Sequence, residues 1–134
     1  ENVTPLSRRP AEEAVVVVGH GSDRPGFDAA WRRTLLTAAE RLCARGGFAA
    51  SAAATLQPDT LAAAVADLRI RRPELAPIAV PLFIAEGWFT AKAIYDRLKD
   101  LDVRYESRGL LPHQGMSRWL RLRIEEKMKE LARP

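Results

Sequence analysis

The stretch VVVVGHGSDRPG, residues 15–26, sets His20 between two glycines and next to Ser22. A neutral imidazole ligates cobalt, nickel, iron or zinc, and it accepts a proton near pH 7. Flanking glycines let the backbone turn sharply and let a ligand come close. The other histidine, His113, lies in LLPHQG, and a carboxylate, Glu86, lies in EGWFT beside Trp88 and Phe89. A carboxylate there can bind a divalent metal or take a proton. Ser22 does not read as a nucleophile. A nucleophile elbow needs Gly-x-Ser-x-Gly, and here Asp23 and Arg24 follow the serine. Ser22 reads instead as a cap for the next helix or a tie within the loop. Cys43 is the only cysteine, so neither an internal disulfide nor a cysteine-built zinc site can form.

Regular elements must hold these groups. Residues 14–19, AVVVVG, form a continuous β-branched run, the pattern of a strand buried on both faces. Phe27, Trp31, Leu35, Ala38 and Leu42 then recur at helical spacing until Gly46 and Gly47 stop the helix. A second strand is expected over 48–56. A helix opened by Pro58 and Asp59 follows, with Leu61, Val65 and Leu68 on one face. IAVPLFIA, residues 78–85, reads as the third strand. The third helix carries Ala91, Ile94, Tyr95 and Leu98, and VRYES, 103–107, is the fourth strand. The last helix, from about 116 to 131, has Met116, Leu120, Ile124, Met128 and Leu131 as its apolar stripe.

This βαβαβαβα order predicts an α/β fold, a doubly wound and mainly parallel four-stranded sheet with helices on both faces. Residues 1–13 are expected to be a loose tail and 14–134 a single domain. In such sheets ligands bind beyond the carboxyl ends of the strands. GHGSDRPG, EGWFT and LLPHQG all fall at that edge, and the loop after the second strand adds Gln57.

The chain has 134 residues, 47% of them hydrophobic, with 21 Lys and Arg against 17 Asp and Glu. The net charge of +4 suits an anionic ligand. No basic run interleaved with aromatics argues for nucleic acid. No apolar run reaches the ~20 residues of a membrane span. No signal peptide is visible in the chain as it stands, which begins with Glu, and a cytoplasmic location is expected.

VVVGHGS with a following proline, VPLFIAEG in the middle and LLPH before the last helix resemble the small sirohydrochlorin chelatases, the CbiX-type class II chelatases. The resemblance runs from about residue 14 to 131. It implies the doubly wound fold, a homodimer, and insertion of a divalent metal into a precorrin-type tetrapyrrole. The metal is usually cobalt, in some members nickel or iron, and the setting is cobalamin or siroheme biosynthesis. It also implies that His20 is a metal ligand and proton acceptor. A second family histidine, in a Gly-Gly-x-His type loop, falls on Phe89, which can bind neither metal nor proton. A carboxylate expected after the second strand is Gln57. Glu86 is then the candidate stand-in. Trp88 and Phe89 would offer the macrocycle a flat wall, and His113 would be structural or face substrate rather than serve as a primary ligand.

Insertion removes two pyrrole protons and needs a metal held weakly enough to be released. A site of His20 and Glu86, with no tightly bound cofactor and the metal as substrate, meets that need. The anionic rim of the macrocycle calls for cations, for which Arg24, Lys92 and Arg118 are candidates, with Ser22 at the same edge. A single domain builds only half of a two-domain chelatase cleft, so a symmetric dimer is expected. Two rival readings remain open here. One is a non-catalytic tetrapyrrole- or metal-binding protein on the same scaffold. The other is a phosphohistidine carrier of the mannose type, which also begins with a hydrophobic strand ending in His-Gly but does not account for the PLF and LLPH stretches.

Overall fold

The computed structural model of the chain describes residues 6–132. Four strands, β1 (Glu13–Gly21), β2 (Ala50–Gln57), β3 (Ala76–Pro81) and β4 (Arg104–Tyr105), form one sheet in the order β2-β1-β3-β4. Every pairing is parallel. Helices α1 (Phe27–Gly46), α2 (Leu61–Arg71), α3 (Tyr95–Leu98) and α4 (Gln114–Leu131) alternate with them, and a π-helical stretch, Phe89–Ile94, leads into α3. The doubly wound α/β fold expected from the alternation is the observed one.

Alternation along β1 divides the core, because successive side chains of a strand point to opposite faces. Ala14, Val16 and Val18 pack with Leu61, Val65 and Leu68 of α2 and with Ala93, Ile94 and Leu98. Val15 and Val17 face the other way. They meet Phe48 and Ile78, and Leu35 and Ala39 of α1. One face of the sheet is thus covered by α2 and α3, and the opposite face by α1.

Several boundaries differ from the sequence reading, each for a tertiary reason. β3 ends at Pro81 rather than at 85. Leu82 still donates its N–H to the Val18 carbonyl, but the Phe83 and Ile84 carbonyls accept from Leu110 and Leu111. β4 keeps two residues of the expected five, paired with Ile78 and Ala79 at the sheet's edge. The third helix buries Thr90, Ala93, Ile94 and Leu98, whereas Ala91 and Tyr95 are exposed. The buried face keeps helical spacing but runs through Thr90 and Ala93 in place of Ala91 and Tyr95, and its first turns are π-wound. The tail expected over 1–13 is docked from Leu6 onward, and its first five residues lie outside the described ones. Glu13 is buried in β1 and accepts hydrogen bonds from Ser7 Oγ (2.6 Å), Arg8 N (2.8 Å) and Arg9 N (3.1 Å). It also pairs with Arg104 Nη2 at 2.7 Å.

α1 does end at Gly46, with Gly47 as a left-handed cap at φ 71°. Its amino end is capped by Gly26 without a side-chain bond, so Ser22 is not its cap. Ser22 is the loop tie instead, its Oγ accepting from Arg24 N at 3.2 Å.

Candidate active site

His20 occupies the carboxyl end of β1, where Gly19 and Gly21 on either side of it pair with Thr55 and Gln57 of β2, while the pairing with β3 ends at Val18. The two glycines beside it serve the fold. A Cβ on Gly19 would stand 2.7 Å from Leu35 Cδ2, so α1 packs directly on that backbone. Gly21 has φ +80°, and a Cβ there would stand 2.2 Å from the Gln57 carbonyl oxygen. Protein atoms fill the space that the sequence reading had left for a ligand beside these glycines. The ligand's access must come along the imidazole itself.

The imidazole is oriented. Nδ1 lies 3.0 Å from the Gly21 carbonyl oxygen, which can only accept, so Nδ1 carries the proton and donates. The lone pair then sits on Nε2. A ring nitrogen bonded to a backbone carbonyl while the other faces a metal is the usual second-sphere arrangement of a ligating histidine.

Opposite this ring stand the aromatic residues of the loop after β3. Phe89 lies edge-to-face on His20 with centroids 4.9 Å apart. Phe83 stacks on Phe89 at 6.0 Å and Trp88 meets it edgewise at 5.3 Å. Trp88 is 63% exposed and Phe89 40%. The loop is pinned by Thr90, whose buried Oγ1 accepts from Gly87 N (3.0 Å) and donates to Gly87 O (3.1 Å). Tyr105, at the end of β4, donates its hydroxyl to the Thr90 carbonyl at 2.6 Å. Burial, against a hydrogen bond with Ser107 and reinforced by the charge of Glu86, pushes that phenol up to about 12. It therefore stays a neutral donor throughout the physiological range. The sequence reading passed over Phe83 and Tyr105. Their signal was position, since Tyr105 ends β4 and Phe83 follows β3 at the carboxyl edge.

The other expected site residues spread along this edge. Glu86 is exposed in the loop of Trp88 and Phe89. Arg24 is exposed in the loop after β1 and Arg118 on the first turns of α4, and neither has an acidic partner among the described residues. Lys92 pairs with Asp96 at 2.8 Å. Gln57 Nε2 donates to Asp23 at 3.1 Å and ties the second loop to the first. His113 caps α4, its Nδ1 accepting from Gly115 N at 3.0 Å, which takes that nitrogen from metal work. Among the described residues no three His, Cys, Asp or Glu side chains gather into a metal-binding group.

A rigidly held imidazole with a free Nε2, facing an exposed aromatic wall, suits a flat apolar ligand with a metal at its centre. Residues 14–131 match the family described as CbiX. The chain belongs to the CbiX family. No curated protein matches it. CbiX proteins are class II chelatases, which insert a metal into a tetrapyrrole, and the match decides for that scaffold over the phosphocarrier. Among the described residues no helix of this CbiX chain is long and apolar enough to cross a membrane.

The residue that the resemblance aligns with the second CbiX histidine, Phe89, is the one whose ring touches His20. Phe89→His in this CbiX chain should place two imidazoles within reach of one ion. Co²⁺ affinity, followed by the visible absorption of the bound ion, should rise at least about tenfold, as large as outer-sphere effects alone. Unchanged affinity would show that the second position does not face the metal.

Proposed function

We propose that the protein inserts a divalent metal, cobalt first among them, into a sirohydrochlorin-type tetrapyrrole in cobalamin or siroheme biosynthesis. The observation that carries this reading is the oriented His20, with Nδ1 committed to Gly21 and Nε2 left for metal or proton, against the Phe89–Trp88 wall. In the reaction the M²⁺ ion replaces two pyrrole N–H protons, so charge is conserved and both protons must leave. His20 Nε2 holds the incoming metal or takes the first proton. Glu86 takes the second, and solvent carries both away. The macrocycle lies on the aromatic wall, and Arg24 and Arg118 attract its carboxylates, with Ser22, Lys92 and His113 at the rim. The site is weak by composition, which favours delivery over storage. A cytoplasmic homodimer completes the reading.

The test is an anaerobic absorbance assay with sirohydrochlorin and Co²⁺, repeated with Ni²⁺ and Fe²⁺. Insertion should exceed the spontaneous rate, and Glu86→Gln should slow it on the order of 100-fold, the lower range for a general base. Native protein that accelerates none of the three metals, yet binds the macrocycle, would establish the second reading, a binding protein on the chelatase scaffold. Phe89 in the histidine position is the observation that favours that reading.

A further inference from the structure

The edge strand β4 has two residues, and each serves a different part of the molecule. Arg104 pairs with the buried Glu13 at the start of β1. Tyr105 points to the opposite face, as the alternation of a strand requires, and packs on the core beneath α2 and α3. From there its hydroxyl donates to the Thr90 carbonyl at 2.6 Å. Thr90 is buried and is the second residue of the π-wound stretch. The first is Phe89, whose ring lies edge-to-face on His20 at 4.9 Å. One hydrogen bond therefore joins the edge of the sheet to the residue beside Phe89.

The bonds of Thr90 Oγ1 to the Gly87 N–H and carbonyl stay within the turn. They shape it but do not fix its place above β1. Leu110 and Leu111 hold the chain at the Phe83 and Ile84 carbonyls, and Ala85, Glu86, Gly87 and Trp88, all exposed, lie between that tie and Phe89. A side chain inserted into the backbone ladder is one of the few causes of local distortion in a helix, and π turns collect at functional sites. The Tyr105 hydroxyl is such an inserted group. Its phenol remains neutral through the physiological range, so it holds by donating a hydrogen bond and not by charge.

We infer that the Tyr105 hydroxyl is a positioning group, which holds the π-wound turn, and with it the Phe89 ring, against the imidazole of His20. In this role it touches neither metal nor macrocycle. Without it the turn has two places to go, against His20 as here or outward into water. The fraction of molecules with a complete aromatic wall then falls, and apparent affinity for a flat ligand falls by the same fraction. His20 keeps its own bond to the Gly21 carbonyl, so its proton and lone pair stay where they are. The placement of the ring stands on these contacts alone, and its consequence for turnover rests on the proposed insertion reaction.

The test uses the two histidines of the chain, His20 and His113, whose carbon-bound imidazole protons give two sets of NMR signals, told apart in His20→Gln. A phenyl ring 4.9 Å away displaces the His20 set by its ring current, and Phe89→Leu gives the undisplaced position. Tyr105→Phe removes one oxygen and keeps the packing of the ring. It should move the His20 signals most of the way to their Phe89→Leu position, leave the His113 signals in place and keep a cooperative melt. In the insertion assay it should raise KM for sirohydrochlorin about fivefold, the worth of one neutral hydrogen bond, with kcat unchanged. His20 signals that stay at their native position in Tyr105→Phe would overturn the proposal. So would a Tyr105→Phe chain without a cooperative melt, since the hydroxyl would then hold the whole fold and not the turn. A fall in kcat with KM unchanged would assign Tyr105 to the chemistry itself, and would overturn it too. Native protein that inserts no metal would remove the proposed function, and the His20 signals would still decide the role of Tyr105.

Discussion

His20→Ala should bring metal insertion down to the spontaneous rate while leaving the fold standing. In the proposed reaction two contributions vanish together. The metal loses its one imidazole, because His113 spends Nδ1 on the α4 cap. The macrocycle loses a proton acceptor, and a general base alone is worth about 10²- to 10⁴-fold. The structural cost is small. The lost bond to the Gly21 carbonyl is worth about 1 kcal/mol, and β1 stays paired on both sides. The measurement is the anaerobic insertion rate beside a thermal melt. An active His20→Ala protein would move the chemistry away from β1. An inactive one that has also lost its melting transition would say nothing of catalysis, so His20→Gln, which keeps a polar group of similar reach, is the control.

Glu13→Gln should cause the largest loss of stability, about 3 kcal/mol, as expected when one partner is removed from a buried ion pair. Burial raises the Glu13 carboxyl, but bonds from Ser7, the Arg8 N–H, Arg104 and the Arg9 N–H outweigh it and bring it from 4.5 to about 2. The sign follows from the depression. Unfolded, the group binds its proton near 4.5, and folded only near 2. Its stabilisation is complete above about pH 5 and fades as pH falls from there towards 2, by about 3 kcal/mol in all. Urea titrations from pH 7 to pH 3 should show that slope in the native chain. The slope should be reduced in Glu13→Gln, whose gap from the native chain narrows on acidification. Parallel curves would mean that Glu13 is not linked to acid unfolding.

β1, α1 and the alternation of elements were legible because they depend on local pattern: a valine run, an apolar stripe, and a glycine pair that ends a helix. The misreadings share a cause. Residues 82–85 are as apolar as the strand before them, and only the bonds to Leu110 and Leu111 show that they have left it. The docking of the tail depends on Arg104, 91 positions from Glu13, which no local pattern reveals. The stripe of α4 was legible, but periodicity says that a face is apolar and not what covers it. At the site, His20, Trp88 and Phe89 stood out by residue type. Their contact arises because β1 and β3 are neighbours in the sheet, and the roles of Gly19 and Gly21 appear only when α1 and β2 are seen against them.

The π-wound stretch Phe89–Ile94 changes how positions can be counted through this loop. A π turn closes i→i+5 where an α turn closes i→i+4, so it takes up an extra residue within the helix. Two chains can then set an aromatic or imidazole ring at the same point above β1 and still differ by one residue between β3 and the helix, with loops of equal reach. An alignment made by counting from β3 treats that difference as a gap in the loop, whereas one made from the Tyr105–Thr90 anchor absorbs it in the winding.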